Sequence, residues 1–360
     1  MIPLRLSAVA DAEQPYVAKL RTPPNSGLNP HDTLYLDGDE FGASFAGPHG
    51  LVTLEGVPPD ELDGDVVVVD PATGRAERLL RAASAHNTLL VTERCDQLCV
   101  MCSQPPKKTH HDRFAQFELA CLLAERGQVI GISGGEPTLY KEELLGMIER
   151  VLEARDDLAF HVLTNAQHFT DADITRLRDP RFQRVTWGVP LYAADAPLHD
   201  HIVGKDGAFR QLEDGFVRLM LSGARVELRT VLLADNVDAL QDLARYVAAR
   251  LRFIAAWSIM QLEHIGFARN RWRHLYVDHA NRFAPIAAAL DIAQLHGLPV
   301  RLFNFPRCTV PENYRHLAAA SISDWKRKYA PACADCREQR DCTGFFAWHP
   351  DEALNEVQPL

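Results

Sequence analysis

A chain of 360 residues with 38 Lys+Arg against 48 Asp+Glu carries a formal charge of −10, and 47% of it is apolar. That composition fits a globular protein of about two domains, and its acidic balance argues against nucleic acid or an anionic membrane surface as the main partner. No run of signal-peptide length opens the sequence and no stretch of 18 apolar residues occurs in it, so no membrane helix is expected and a cytoplasmic location is, where eight cysteines stay reduced and need a reason other than disulfides.

Residues 1–87 are punctuated by turn signals at Pro23-Pro24-Asn25, Asp37-Gly38-Asp39, Pro58-Pro59 and Asp63-Gly64. Between them lie short alternating or β-branched runs, such as Thr33–Leu36 and Asp65–Asp70, which predict a β-rich N-terminal module. From residue 88 the pattern alternates. Strands are predicted at 88–91, 128–133, 158–164, 184–190, 225–233 and 253–260, and helices at 114–126, 140–154, 170–178, 207–222 and 236–250. Six strand–helix units call for a parallel sheet covered by helices. They fall short of the eight that close a barrel, so an open, partial (β/α)6 barrel is expected across 88–300. A long helical stretch over 275–297 and a short strand at Pro299–Phe303 follow, and 301–360 reads as an irregular, Cys-rich extension.

The loop after the first of these strands carries Cys95-Asp-Gln-Leu-Cys99-Val-Met-Cys102. Three thiolates from one loop can bind a soft metal centre, and three are one fewer than a closed site needs, which leaves a position for an outside ligand. The bland alternative is a zinc loop completed by His110 or His111. Gly134-Gly135-Glu136-Pro137 ends the second strand, separated from Cys102 by residues 103–133.

Cys-x3-Cys-x2-Cys after the first strand, paired with Gly-Gly-Glu-Pro after the second, resembles the radical S-adenosylmethionine (radical SAM) superfamily. One departure is Met101, where that family usually has an aromatic residue before the last cysteine. The resemblance implies that Cys95, Cys99 and Cys102 bind three irons of a 4Fe–4S cluster. The fourth iron would take the amino and carboxylate groups of S-adenosylmethionine, and an electron donor would be required. It also implies cofactor contacts from Gly134, Gly135, Glu136 and Pro137, whose backbone can approach closely and whose acceptors suit an ammonium. Asn165 closes a Thr-Asn-Ala segment where relatives have Thr-Asn-Gly. Arg229, late in the fifth strand, suits a carboxylate fork, or else a sheet-end salt bridge.

Cys308, Cys333, Cys336 and Cys342 supply a full ligand set for a closed centre. In this setting that means an auxiliary 4Fe–4S cluster or structural zinc, and the spacing does not separate them. The segments Phe305–Pro311, Ser321–Lys326, Cys333–Cys336 and Cys342–Phe346, with the β-rich leader, resemble the HxsC family, the radical SAM maturases of the His-Xaa-Ser repeat system. This implies post-translational modification of a peptide or small protein carrying such repeats (a RiPP-type maturation) beside a second radical SAM partner. Competing readings are a radical SAM enzyme acting on a small metabolite or tetrapyrrole, and a catalytically silent Fe–S and S-adenosylmethionine scaffold.

Other residues attract notice for less. Cys121 sits on an apolar helix and reads as an inert core thiol. His199 and His201 flank Asp200 at a strand's functional end, and Tyr192, Glu263 and His264 point to the barrel mouth. No acid–base or hydrogen-donor residue stands out in the sequence. Residues 1–87 either recognise a leader by strand addition or cap the open side of the barrel.

Overall fold

The computed structural model describes residues 2–23, 29–354 and 357–360, so Pro24 and Asn25 of the first expected turn lie outside the described residues. The chain forms two compact units interleaved in sequence. One takes Met1–Val91, His111–Ser133 and Tyr140–His161, and the other Thr92–His110, Gly134–Leu139 and Val162–Leu360.

Seven strands carry the first unit: β1 (Arg5–Ala10), β2 (Tyr16–Arg21), β3 (Asp32–Asp39), β4 (Gly42–Gly47), β5 (Gly50–Glu55), β6 (Val66–Asp70) and β7 (Arg75–Leu80). They close into a barrel in the order β1-β5-β4-β3-β2-β6-β7, sealed where Leu6 pairs with Ala76. Alternation decides which side chains point inward, and Leu6, Ala18, Leu20, Phe45, Val52, Leu54, Val67 and Val69 build one apolar core. A closed barrel offers no edge strand, so strand addition to this module has no main-chain ladder to extend. β2 and β6 are buried along nearly their whole length because helix α1 (Phe114–Leu123) lies against them, with Lys19 Nζ donating to Leu123 O at 2.7 Å. Arg78 Nε donates to Asp65 Oδ2 at 2.6 Å, and both side chains are 1% exposed.

One eight-stranded sheet follows, with its strands in chain order: β8 (Asn87–Thr92), β9 (Val129–Gly134), β10 (Ala159–Leu163), β11 (Val185–Pro190), β12 (Arg225–Val231), β13 (Ala256–Met260), β14 (Val300–Phe303) and β15 (Ala318–Ala319). β11 through β15 pair in parallel. The first unit includes α2 (Lys141–Ala154), whose stripe of Leu144, Leu145, Ile148, Val151 and Leu152 is buried.

In the second unit α3 (Asp171–Leu177) opens on a Thr170–Asp173 capping box, α4 (Ala196–Val203) ends at Gly204 in the left-handed region, and α5 (Ala208–Ser222) and α6 (Leu240–Arg250) follow. Of the helical stretch expected over 275–297 only α8 (Ala284–Leu295) is helical, and α7 (Gly266–Leu275), which ends where that stretch begins, is not among the expected helices. Tyr276 leaves the helical region (φ −70, ψ 137), Pro285 starts α8, and the turn between them is tied down by buried His279, which meets Gln261 Nε2 at 2.7 Å and Thr309 Oγ1 at 2.6 Å. The last residues form short 3-10 turns, a two-strand pair of β16 (Arg327–Lys328) with β17 (Phe345–Phe346), and α9 (Asp351–Leu354). Among the described residues no helix is long and apolar enough to cross a membrane.

Candidate functional site

The first cysteine loop leaves β8 within the second unit and is pinned on several sides by backbone bonds. Leu98 N donates to Val203 O at 3.0 Å, Val100 N to Ile202 O at 2.8 Å, and Phe267 N to Cys102 O at 2.9 Å. Gly204 and Gly266 permit this approach. Both have positive φ (64 and 59), and a Cβ on Gly204 would lie 2.6 Å from Leu98 O. Below the loop, Met101 packs into an apolar cluster with Tyr192, Ile202, Val203 and Ala268, which also touches Cys99 and Val100. Met101 therefore serves as a soft apolar floor.

The three thiols share one environment. Burial pushes Cys95 and Cys99 up to about 12, and for Cys99 the neighbouring Cys102 and Cys95 add to it. Three half-exposed thiols this close would all ionise only beside a strong positive centre, which is what a metal cluster provides. Among the described residues no three His, Cys, Asp or Glu groups converge on a single-ion position. A 4Fe–4S cluster takes each thiolate on a different iron, so its ligands need not meet at one point, and this donor set fits it.

The Gly134–Pro137 segment lies against the start of the same loop. Gly135 N donates to Thr92 O at 2.9 Å and Glu136 N to Arg94 O at 2.7 Å. A Cβ on Gly135 would strike the Arg94 carbonyl, so the close approach requires glycine there. The Glu136 carboxylate is 1% exposed and its oxygens are already used within the protein. Oε1 accepts from Thr138 N at 2.8 Å, from Thr164 Oγ1 at 2.7 Å and from the Thr138 hydroxyl, and Oε2 accepts from Asn165 N at 2.6 Å. Burial raises its pKa while these donors oppose the shift. Glu136 thus clasps the ends of β9 and β10, and the acceptors left for a ligand at this motif are backbone carbonyls.

Asn165 belongs to a network that residue spacing did not reveal. Its Nδ2 donates to Asp96 Oδ1 at 2.9 Å, and Asp96 Oδ2 also receives Lys205 Nζ at 2.6 Å, with His168 Nε2 3.3 Å away. Burial would raise Asp96, yet His168 and Lys205 hold its carboxyl well below the usual range. Ala166, which stands where relatives have glycine, sits at φ 58. Arg229 Nη1 contacts both oxygens of Glu227 at 3.1 and 3.0 Å, and Ser258 Oγ donates to the same carboxylate at 2.5 Å. These contacts use one edge of the guanidinium and leave the Nε–Nη2 edge facing elsewhere. Tyr192 links the two groups: burial first, and then the Cys99 and Cys102 thiols, raise its pKa, while Arg229 opposes them.

Several noticed residues have plain roles. His199 is buried between Tyr192 and Phe209 and pushed down to about 4 by burial, and His201 is exposed 3.8 Å from Asp235. His110 Nδ1 lies 3.2 Å from Thr92 Oγ1, while His111 is exposed. Glu263 faces Lys326 at 4.0 Å and His264 Nδ1 lies 3.3 Å from Trp348 O. Cys121 is fully buried in α1 of the first unit.

All four tail cysteines line one small recess, with Tyr329 and Gly344 beside them. Burial and then the other three thiols push Cys308 up to about 11. Cys342 Sγ accepts two backbone N–H groups, from Arg307 and Gly344, each at 3.4 Å. A neutral thiol is a weak acceptor and a metal-bound thiolate a strong one, so paired donors on one sulfur fit a liganded tail.

No family model matches this chain, and no curated protein does. Among solved structures it is similar to SuiB of Streptococcus suis bound to S-adenosylmethionine, with a TM-score of 0.50 and 16% identity over 62% of this chain and 51% of that one. Weaker likenesses are native anSMEcpe with bound AdoMet and Cp18Cys peptide (TM-score 0.47, 13% identity, 60% and 62% covered) and a radical SAM methyltransferase from Sphaerobacter thermophilus (TM-score 0.44, 18% identity, 76% and 77% covered). The chain spans about half the length of SuiB. At such identity the likeness is one of architecture: this chain shares the mixed α/β fold of a protein solved with S-adenosylmethionine in place.

Proposed function

We propose that this chain is a radical SAM enzyme that modifies a peptide or small protein. The observation that carries the reading is the three-thiol loop after β8 laid against Gly134–Pro137 through the Gly135–Thr92 and Glu136–Arg94 bonds. Cys95, Cys99 and Cys102 would hold three irons of a 4Fe–4S cluster in a partial barrel. When bound, the cluster and S-adenosylmethionine would supply one-electron reductive chemistry for hydrogen abstraction. The chain's own residues bind and orient. Carbonyls at Gly134 and Gly135 would accept from the ammonium and Arg229 would receive the carboxylate, while Asp96 with Asn165 fixes the loop. Met101, Tyr192 and Ile202 keep water from its inner side.

The tail cysteines are assigned an auxiliary 4Fe–4S cluster, supported by the recess they share and the two N–H groups on Cys342. The His-Xaa-Ser substrate and a second radical SAM partner rest on the resemblance of the tail segments. Anaerobic reconstitution should give about eight irons per chain, falling to about four in Cys99→Ala and in Cys333→Ala/Cys336→Ala. Reduced wild-type protein should release 5′-deoxyadenosine, and Cys99→Ala should not. An iron-loaded, reduced wild type that leaves S-adenosylmethionine intact overturns the enzyme. Zinc retained at the tail overturns the auxiliary cluster, and an unchanged mass of a His-Xaa-Ser repeat peptide after turnover overturns that substrate.

A further inference from the structure

α7 is unlike the rest of this acidic chain. Its ten residues, Gly-Phe-Ala-Arg-Asn-Arg-Trp-Arg-His-Leu, include Arg269, Arg271, Arg273 and His274 and no acid. Helical spacing divides it into two faces. Ala268, Trp272 and Leu275 pack into the apolar cluster under the cysteine loop, while Arg269, Asn270, Arg273 and His274 are exposed on the other side. Neither Arg269 nor Arg273 has an ion-pair partner among the described residues. The nearest acids in sequence are engaged: Glu263 faces Lys326 at 4.0 Å, and Asp278 accepts from Asn281 Nδ2 at 2.7 Å. Asp235, beside the Ala234–Leu275 backbone bond at the helix end, faces His201 at 3.8 Å.

The helix is also bonded directly to the loop that bears the thiols. Phe267 N donates to Cys102 O at 2.9 Å, and Arg271 Nη1 donates to Val100 O at 2.8 Å. A molecule seated on the basic face therefore comes to rest one helix width from the thiol loop. The same loop presents Leu98, 59% exposed, as an apolar contact. A ten-residue face is about 15 Å long, a scale that suits the small, charge-steered encounters of electron-transfer proteins and is short for tracking a nucleic-acid backbone.

We propose that the outer face of α7 is the docking surface for a small acidic electron-transfer protein that reduces the cluster held by Cys95, Cys99 and Cys102. The proposal rests on the function proposed above. The step moves one electron from a reduced flavin or iron–sulfur donor to the cluster, with the donor oxidised and the cluster reduced by one electron each, and no atoms are transferred. Arg269 and Arg273 steer and orient the partner, and they touch neither substrate nor cofactor.

The test uses the full, anaerobically reconstituted chain and a reduced flavodoxin as the acidic probe, with cluster bleaching followed by stopped flow. The wild-type rate should fall steeply between about 20 and 500 mM salt, as screening shortens the reach of the charges. Arg269→Glu/Arg273→Glu should be about tenfold or more slower at low salt and nearly salt-independent. Photoreduced deazaflavin, which is uncharged, should bleach both proteins equally, and Arg210→Glu/Arg225→Glu, reversing two exposed arginines elsewhere, should behave as wild type. A wild-type flavodoxin rate in the α7 variant, or an equal loss in the control variant, overturns the proposal. Failure of the function reading looks different, because deazaflavin would then find no cluster to bleach. In that event, anisotropy with oxidised flavodoxin and the protein as purified still decides the docking: binding lost only in the α7 variant supports it, and an oligonucleotide bound at this face in place of flavodoxin overturns it.

Discussion

Lys205 Nζ lies 2.6 Å from Asp96 Oδ2, which joins the residue after the first cysteine to the turn following α4 across 109 positions of sequence. Asn165 shares the same carboxylate, so three segments meet on one side chain. Both partners are about a quarter exposed, which places the pair between a solvated and a buried one. Asp96→Asn should lower stability by about 1–3 kcal/mol, in keeping with hydrogen bonds to a charged group. It should also shorten the time for a chelator to strip iron from the reconstituted loop several-fold. Equal iron-release times in variant and wild type would show that the network does not hold the loop.

At Gly135 a new methyl would meet the Arg94 carbonyl and sit 3.0 Å from Cys95 Cβ. Gly135→Ala should therefore cost about 1–3 kcal/mol and reduce iron incorporation, since the backbone that must yield carries the first ligand. Gly127→Ala is the matching control. It has positive φ (72), unlike Gly135, and nothing lies within 4 Å of the added methyl, so it should cost only about 1 kcal/mol and keep its iron. Denaturant melts and iron assays on the two variants compare clash with backbone strain.

Two fully buried histidines contribute, with the partly buried His349, to a dependence of stability on pH. Burial pushes His199 and His279 down to about 4 from an ordinary 6.5. Between those values the unfolded chain binds protons that the fold does not, so their contribution is complete above pH 6.5 and is lost as pH falls toward 4. The expected loss is of the order of 2–3 kcal/mol for each ring. His199→Phe keeps the ring contacts with Tyr192 and Phe209 but cannot titrate, so its urea midpoint should fall less steeply from pH 7 to 4.5 than that of the wild type. A wild-type midpoint flat over that range would contradict the assignment.

In the barrel, Arg78 also donates to Glu61 O at 2.6 Å and Pro3 O at 3.2 Å, so it ties three segments to Asp65. Burial pushes Asp65 up to about 6 even though Arg78 opposes the shift. Arg78→Met leaves that carboxylate buried without its cation, with Ala82 N at 2.8 Å as its remaining donor, and should cost about 3–5 kcal/mol, whereas Asp65→Leu/Arg78→Met should recover most of the loss. Thermal melts of the single and double variants measure the difference.

What the sequence made legible follows from the range of the forces involved. The strand–helix alternation from Asn87 to Met260 is written in local periodicity, and each predicted strand there has its counterpart in the sheet. The three cysteines of the first loop stand out by spacing because side chains that share one loop lie close along the chain. The helix expected over 275–297 starts too early, at the end of α7, because the residues ahead of α8 are themselves acceptable in a helix. What breaks it is His279, held by Gln261 and Thr309 from outside the segment. α4 went unseen because Ala196–Val203 is short and begins with a proline in its first turn. The closure of the barrel depends on β1 meeting β5 and β7, and the Asp96–Lys205 pair on a turn far along the chain, and no local pattern encodes either.

The interleaving of the two units bears on the order in which this protein is made. The first unit needs residues up to His161, including α1 against β2 and β6, before its set of contacts is complete. Synthesis proceeds from the N-terminus, so Cys95, Cys99 and Cys102 leave the ribosome before the unit whose strands precede them can finish folding. Val203 and Phe267, which fasten their loop, are made about a hundred residues or more later. The nascent chain thus passes through an interval in which three reactive thiols are presented on an untethered segment. That interval is open to a cluster-delivering protein, and equally to oxidants.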